Sequence, residues 1–146
     1  MRDLETAETR LTADNVSIVF VKDGQTIFSS GKTGLRPLVE AIQIQDETLE
    51  GSSMADKVVG RAAALLAIYA KVRSVYASTI ASGAAQLLDQ HAIPYRYGSM
   101  VKHILNRDGT DICPFEKSVR DTDNPEEALQ QIVETISHLS SKAKIG

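Results

Sequence analysis

Cys113 is the chain's one thiol, and it stands in Cys113-Pro114-Phe115-Glu116, three residues ahead of a carboxylate. A cysteine attacks as its thiolate, which needs a nearby cation, metal or helix N-terminus to form and a base beside it. His91 and His103 are the bases on offer, and Asp56 and Glu116 the acid/base carboxylates. The competing role for Cys113 is that of a small buried hydrophobe. A lone Cys-Pro carries no mechanism by itself.

A second polar group opens the stretch Asp56–Val72, DKVVGRAAALLAIYAKV. The nine apolar residues from Ala62 to Ala70 leave no polar face. That pattern predicts a buried helix with Asp56, Lys57, Gly60 and Arg61 in its N-terminal turns. Lys71 and Arg73 then fall near its end, where cations complement the macrodipole. Ser82-Gly83 starts another helix over 84–91. Helix N-termini present unpaired N–H groups and the positive end of a dipole, so they suit anions. Gly60 and Gly83 would let a ligand come close, and Lys57 and Arg61 would add positive charge. In the plainer alternative Asp56 and Ser82 only cap their helices, Gly60 is a packing contact, and Lys57 and Arg61 are solvated. Asp111 and Glu116 could pair with Lys57 or Arg61 at the surface, and His138 faces solvent. Ser30-Gly31-Lys32-Thr33-Gly34 lacks the upstream glycine of a nucleotide-binding loop and reads as a flexible turn.

The elements that must position these residues are legible as follows. Leu4, Ala7 and Leu11 predict an amphipathic helix over 3–13. Residues 16–21 and 26–28 flank Asp23-Gly24, a type I′ hairpin signal that makes them an antiparallel pair. A short helix covers 35–42, with Pro37 in its first turn, and residues 45–55 read as a connection. Residues 74–80 suit a strand and 93–97 another; with the helix between them they form a βαβ unit of right-handed crossover. Residues 98–124 have no regular pattern. Asn124-Pro125-Glu126-Glu127 starts a last helix, with Ala128, Leu129, Ile132, Val133, Ile136 and Leu139 on its core face. The sum is an α/β fold, a three-layer sandwich with a mixed sheet, in a single domain over 1–146.

Composition narrows the function classes. A net charge of −3 with scattered lysines and arginines supplies no basic stripe for nucleic acid. No apolar run spans a bilayer, and the opening MRDLETAETRL lacks a secretory signal. One cysteine makes no internal disulfide. The expectation is a cytoplasmic protein that binds neither nucleic acid nor membrane.

Asp56-Lys57-Val58-Val59-Gly60-Arg61-Ala62-Ala63-Ala64, the strand Tyr76-Ala77-Ser78 and Cys113-Pro114-Phe115-Glu116 together resemble an uncharacterised prokaryotic family with the cytidine-deaminase-like fold. The likeness covers roughly residues 15–138 as one domain. It implies that the helix starts near Asp56 and Ser82 converge on one pocket. Deaminases hold a zinc-bound water there with a His or Cys, a P-C-x-x-C pair and a Glu general acid/base. Here the first helix start carries no His, Cys or Glu and the second, Ala81-Ser82-Gly83-Ala84-Ala85, no Cys. A catalytic zinc needs three protein ligands, so no cofactor and no catalytic zinc are expected.

Three functions follow. The first is a small-molecule-binding domain for a nucleotide-like or other anionic ligand, held by Asp56, Lys57, Gly60, Arg61, Ser82 and Gly83. The second is an enzyme doing non-metal group transfer or hydrolysis with Cys113 and Asp56 or Glu116. The third is a structural or interaction module. Self-association as a homo-oligomer is open to all three, with the 98–124 region as the interface. Metal analysis of freshly purified protein is expected to find no stoichiometric zinc; one zinc per chain would contradict the absence of a zinc centre.

Overall fold

The structure is a computed structural model that describes residues 2–106 and 108–145, with side chains as far as Leu139. Helix α1 (Arg2–Ala13) buries Leu4, Ala7 and Leu11 on one face. Strands β1 (Ile18–Lys22) and β2 (Gln25–Ser30) pair antiparallel. Their turn places Asp23 at φ 53° and Gly24 at φ 80°, the two positive angles that a type I′ turn requires. The Asp3 carboxylate accepts both turn N–H groups, Asp23 at 3.0 Å and Gly24 at 2.9 Å, and so ties α1 to the hairpin.

Helix α2 (Arg36–Gln45) follows, with Pro37 in its first turn, and a 3₁₀ turn covers Asp46–Leu49. The structure then departs from the sequence reading. Residues Ser53–Val59 form strand β3, and helix α3 runs only from Arg61 to Tyr69. Asp56, Lys57, Val58 and Val59 are strand residues, so Asp56 does not cap a helix. The physical reason is position. β3 lies between β1, antiparallel, and β4 (Ser74–Ala81), parallel. A strand covered on both faces loses the period-two alternation that identifies strands in sequence.

The chain continues through α4 (Ser82–Gln90), β5 (Tyr95–Val101), α5 (Pro114–Ser118) and α6 (Pro125–Ile145). The sheet order is β2-β1-β3-β4-β5. There are therefore two consecutive βαβ units, β3–α3–β4 and β4–α4–β5, where the sequence showed one. β5 extends four residues further than expected, to Val101, and the supposedly irregular 98–124 region also holds α5 and a bridge between Leu105 and Ile112.

Each face of the sheet has its own core. Val19, Val21, Ala55 and Tyr76 pack under α1. Ile18, Phe20, Met54, Val75 and Ala77 face the layer of α2, α3 and α4. The alanines Ala62, Ala63, Ala64 and Ala67 bury α3 closely in that layer. α6 starts with the Asn124 side-chain oxygen accepting the Glu127 N–H at 3.0 Å. It buries Ala128 and Ile132 against the same core, whereas Val133, expected inside, is exposed. The result is a three-layer α/β sandwich with a mixed sheet. Among the described residues no helix is long and apolar enough to cross a membrane.

Leu66 is fully buried at the centre of α3. Leu66→Ala is expected to lower stability by about 2–5 kcal/mol in urea denaturation, the range for a buried leucine that leaves a cavity.

Candidate functional site

The candidate site forms where β3 ends and α3 begins. A helix leaves its first N–H groups without intrahelical partners, and here a distant side chain takes two of them. Glu116, on α5, accepts the Arg61 N–H on Oε1 and the Ala62 N–H on Oε2, both at 2.7 Å. A carboxylate on a helix N-terminus also meets the positive end of the dipole. Gly60 is what allows the approach. A Cβ at that position would lie 2.2 Å from Glu116 Oε1 and 2.8 Å from Ile104 Cγ1. Its own backbone, at φ −96°, is open to any residue, so the requirement for glycine is one of space.

Arg61 turns its side chain to the neighbouring loop. Its Nε donates to the Val119 carbonyl at 3.1 Å, and its guanidinium also bonds the Thr122 carbonyl and the Asp123 carboxylate. This arginine clamps the segment between α5 and α6 onto α3. It is neither solvated nor directed at a ligand, and its backbone rather than its charge meets Glu116.

Beside Glu116 lies a cavity of about 790 Å³. Asp56, Lys57 and Gly60 come to it from β3 and the α3 start, Cys113 and Glu116 from the far end of the chain, and Leu35 and Ile104 add apolar wall. Five of the residues singled out in the sequence thus meet there. Ser82 and Gly83 are not among its lining residues. Ser82 is the first helical residue of α4, Ala81 is the N-cap, and no side chain caps that helix. The two helix starts therefore contribute unequally, and only α3 reaches the cavity.

Asp56 is the electrostatically unusual group. Burial pushes its carboxyl up to about 7, although backbone N–H groups of Val58 and Lys57 pull it down. The Val58 N–H lies 3.3 Å from Oδ1. No ion pair reaches Asp56 among the described residues. A half-buried carboxyl with no cation paired to it can hold or release a proton near neutrality. Lys57, next to it, is exposed.

Cys113 is half-buried rather than sealed in the core. It precedes the first turn of α5, its N–H donating to the Ile104 carbonyl at 2.9 Å. Asp111 pairs with Lys117, which lowers the Asp111 pKa. His91 and His103 are exposed and are not among the residues lining the cavity; His138 is exposed as expected. Among the described residues no three His, Cys, Asp or Glu side chains gather to hold a metal ion. The starts of α3 and α4 carry no metal-ligating side chain, and the residues present do not fit a zinc ion. Sequence reasoning missed the Glu116 cap and the apolar walls from Leu35 and Ile104. Gly60 was the one local sign that something comes close.

Two outcomes follow from this geometry. Gly60→Ala is expected to cost on the order of 1–3 kcal/mol through overpacking, and much less in a Glu116→Ala background. A double-mutant cycle by urea denaturation reads the coupling; additive costs would contradict the contact. Asp56 ionises near 3.8 when unfolded and near 7 when folded. Its stabilising proton is fully present below the unfolded value and lost as pH rises through the folded one, so stability falls across that window. Asp56→Asn is expected to flatten the fall, measured between about pH 4 and about pH 8.

Residues 6–136 match the family described as a domain of unknown function (DUF1893). The crystal structure of a DUF1893 family protein (TM1506) from Thermotoga maritima is 32% identical over 91% of this chain and 89% of that one, with a TM-score of 0.83. Acinetobacter baumannii RibD, of the deaminase fold, is similar in form 1 and form 2 with TM-scores of 0.52 and 0.51 at 18% identity. That likeness covers 66% of this chain and 35% and 36% of RibD, and it is one of fold alone. No curated protein matches the sequence. A family match across most of the chain, joined to a solved relative of that family that is 32% identical over 91% of it, makes this protein a member of the DUF1893 family.

Proposed function

We propose that the protein is a cytoplasmic, non-zinc small-molecule-binding domain and that its ligand occupies the cavity between β3, α3 and the segment leading into α5. The observation that carries this reading is the unpaired Asp56 carboxyl in a cavity of about 790 Å³ with apolar walls. Small-molecule sites have this make-up, a mostly apolar hollow with a few placed polar groups and a perturbed titratable residue. The ligand is nucleotide-like or otherwise anionic. With the Arg61 and Ala62 N–H groups taken by Glu116, its negative end meets Lys57, and a hydrogen-bonding edge meets Asp56. Arg61 holds the loop behind the site, and Ser82 and Gly83 play no part in binding.

The test is native mass spectrometry and thermal shift with nucleosides, nucleoside monophosphates and sugar phosphates. A binder is expected whose affinity falls about tenfold or more on Asp56→Asn or Lys57→Ala, a loss of about 1.4 kcal/mol, and is unchanged on Ser82→Ala. Affinity indifferent to both Asp56 and Lys57 would place the ligand elsewhere.

A second reading is enzymatic, because Cys113 and Asp56 line one cavity. Cys113 Sγ would attack an acyl carbon while its proton passes to Asp56; the leaving group departs, and water then releases the acyl group. Fast, pH-dependent alkylation of Cys113 by iodoacetamide, slowed by bound ligand, is the expected sign. A thiol that reacts only on unfolding would end this reading.

A further inference from the structure

The two edges of the sheet are built differently. At the β2 edge the β1–β2 register breaks between Phe20 and Val21. At the other edge β5 pairs with β4 in unbroken register, from Val75 opposite Tyr95 to Ala81 opposite Val101. β5 carries no proline, lysine or acid, and its only charge, Arg96, is paired with Glu8 of α1 at 3.3 Å. Residues 96–101 are all exposed, including Tyr97 at 46%, Met100 at 44% and Val101 at 37%. A long, regular edge without a bulge, whose one charge is already paired, is the kind that proteins otherwise protect against pairing.

The backbone direction of this edge can be read from one hydrogen bond. The Val75 N–H donates to the Pro94 carbonyl at 3.1 Å. In a parallel ladder alternate residues of a strand face the same neighbour. Even-numbered residues of β5 thus direct their amides at β4, and Tyr95, Tyr97, Ser99 and Val101 direct theirs outward.

We infer that β5 pairs antiparallel with β5 of a second copy of this chain, about a two-fold axis at Gly98, making one continuous sheet through the dimer. The register is self-complementary. Tyr97 falls opposite Ser99, Tyr95 opposite Val101 and Arg96 opposite Met100, so large meets smaller and no like charges oppose. Gly98 meets itself at a pair without hydrogen bonds, the position where strands approach most closely, about 4.5 Å between Cα atoms. The residue is held to glycine from within as well, since a Cβ there would come 2.8 Å from the Ser78 carbonyl oxygen. The outward amides of the odd residues then all find partners, as an isologous interface requires. This surface lies apart from the Asp56 cavity, and the dimer stands or falls independently of ligand binding.

Light scattering on the purified full chain tests it, with a mass twice the 15.8 kDa of one chain expected. Tyr97→Lys puts a charge on the edge and is expected to weaken the dimer at least tenfold. Adding Ser99→Glu, which faces position 97 of the other copy, is expected to restore most of that loss. Ser99→Pro removes an outward N–H that the pairing uses and keeps the backbone hydrogen bonds to β4, losing only the Ser99 hydroxyl contacts with Thr79 and Ser78, and it is expected to give monomers should Tyr97→Lys fail to fold. A monomeric wild type, a dimer that survives Tyr97→Lys or Ser99→Pro, or a double variant no better than Tyr97→Lys would each overturn the proposal.

Discussion

The carboxylate of Glu116 on the N-terminus of α3 is the contact on which the site depends. It joins residues 55 positions apart, and it replaces water at the first N–H groups of the most buried helix of the fold. Through it the segment after β5 is drawn over the end of β3, and the cavity acquires its second wall. Arg61 reinforces the same junction from the other side by holding the Val119 and Thr122 carbonyls and the Asp123 carboxylate. Gly60 leaves the space in which the junction can close. Remove the carboxylate and the cavity loses its definition before the core loses its packing, because the alanine face of α3 is buried independently.

This contact also bears on the proposed binding site. The end of α3 keeps the electrostatics of a helix N-terminus, and the chain satisfies them with its own carboxylate. On the proposed reading, recognition would fall to groups off the helix: Asp56, whose pKa burial raises, and Lys57 on the strand, with Cys113 also lining the cavity. A ligand that needs a helix dipole would have to compete with Glu116. One that needs a carboxyl near neutrality and a neighbouring cation meets both without displacing anything.

Much of the fold was legible because local chemistry demanded it. Asp23-Gly24 permitted one tight turn, Asn124-Pro125 started α6, and the strand-favouring run 74–80 marked β4. What was not legible has physical causes. β3 is buried by α1 on one face and α3 on the other, so Asp56–Val59 merged with the apolar run behind them and read as helix, while residues 53–55 read as part of a connection. The second half of β5 is exposed, and Gly98-Ser99 looks like loop until β4 pairs with it. Ser82 suggested a cap, yet Ala81 occupies that place. Of the site, the residue types Asp56, Lys57, Gly60, Cys113 and Glu116 stood out for their chemistry. Their meeting could not be seen, because it rests on a tertiary contact with no periodic signature.

Amide hydrogen exchange at Arg61 and Ala62, followed by NMR, tests the central contact most directly. First-turn amides of a helix open to water exchange fast, whereas amides held by a carboxylate exchange slowly. Both amides are expected to be protected in the native protein and to lose that protection in Glu116→Ala, with the core of α3 unaffected. Equal exchange in the two proteins would contradict it.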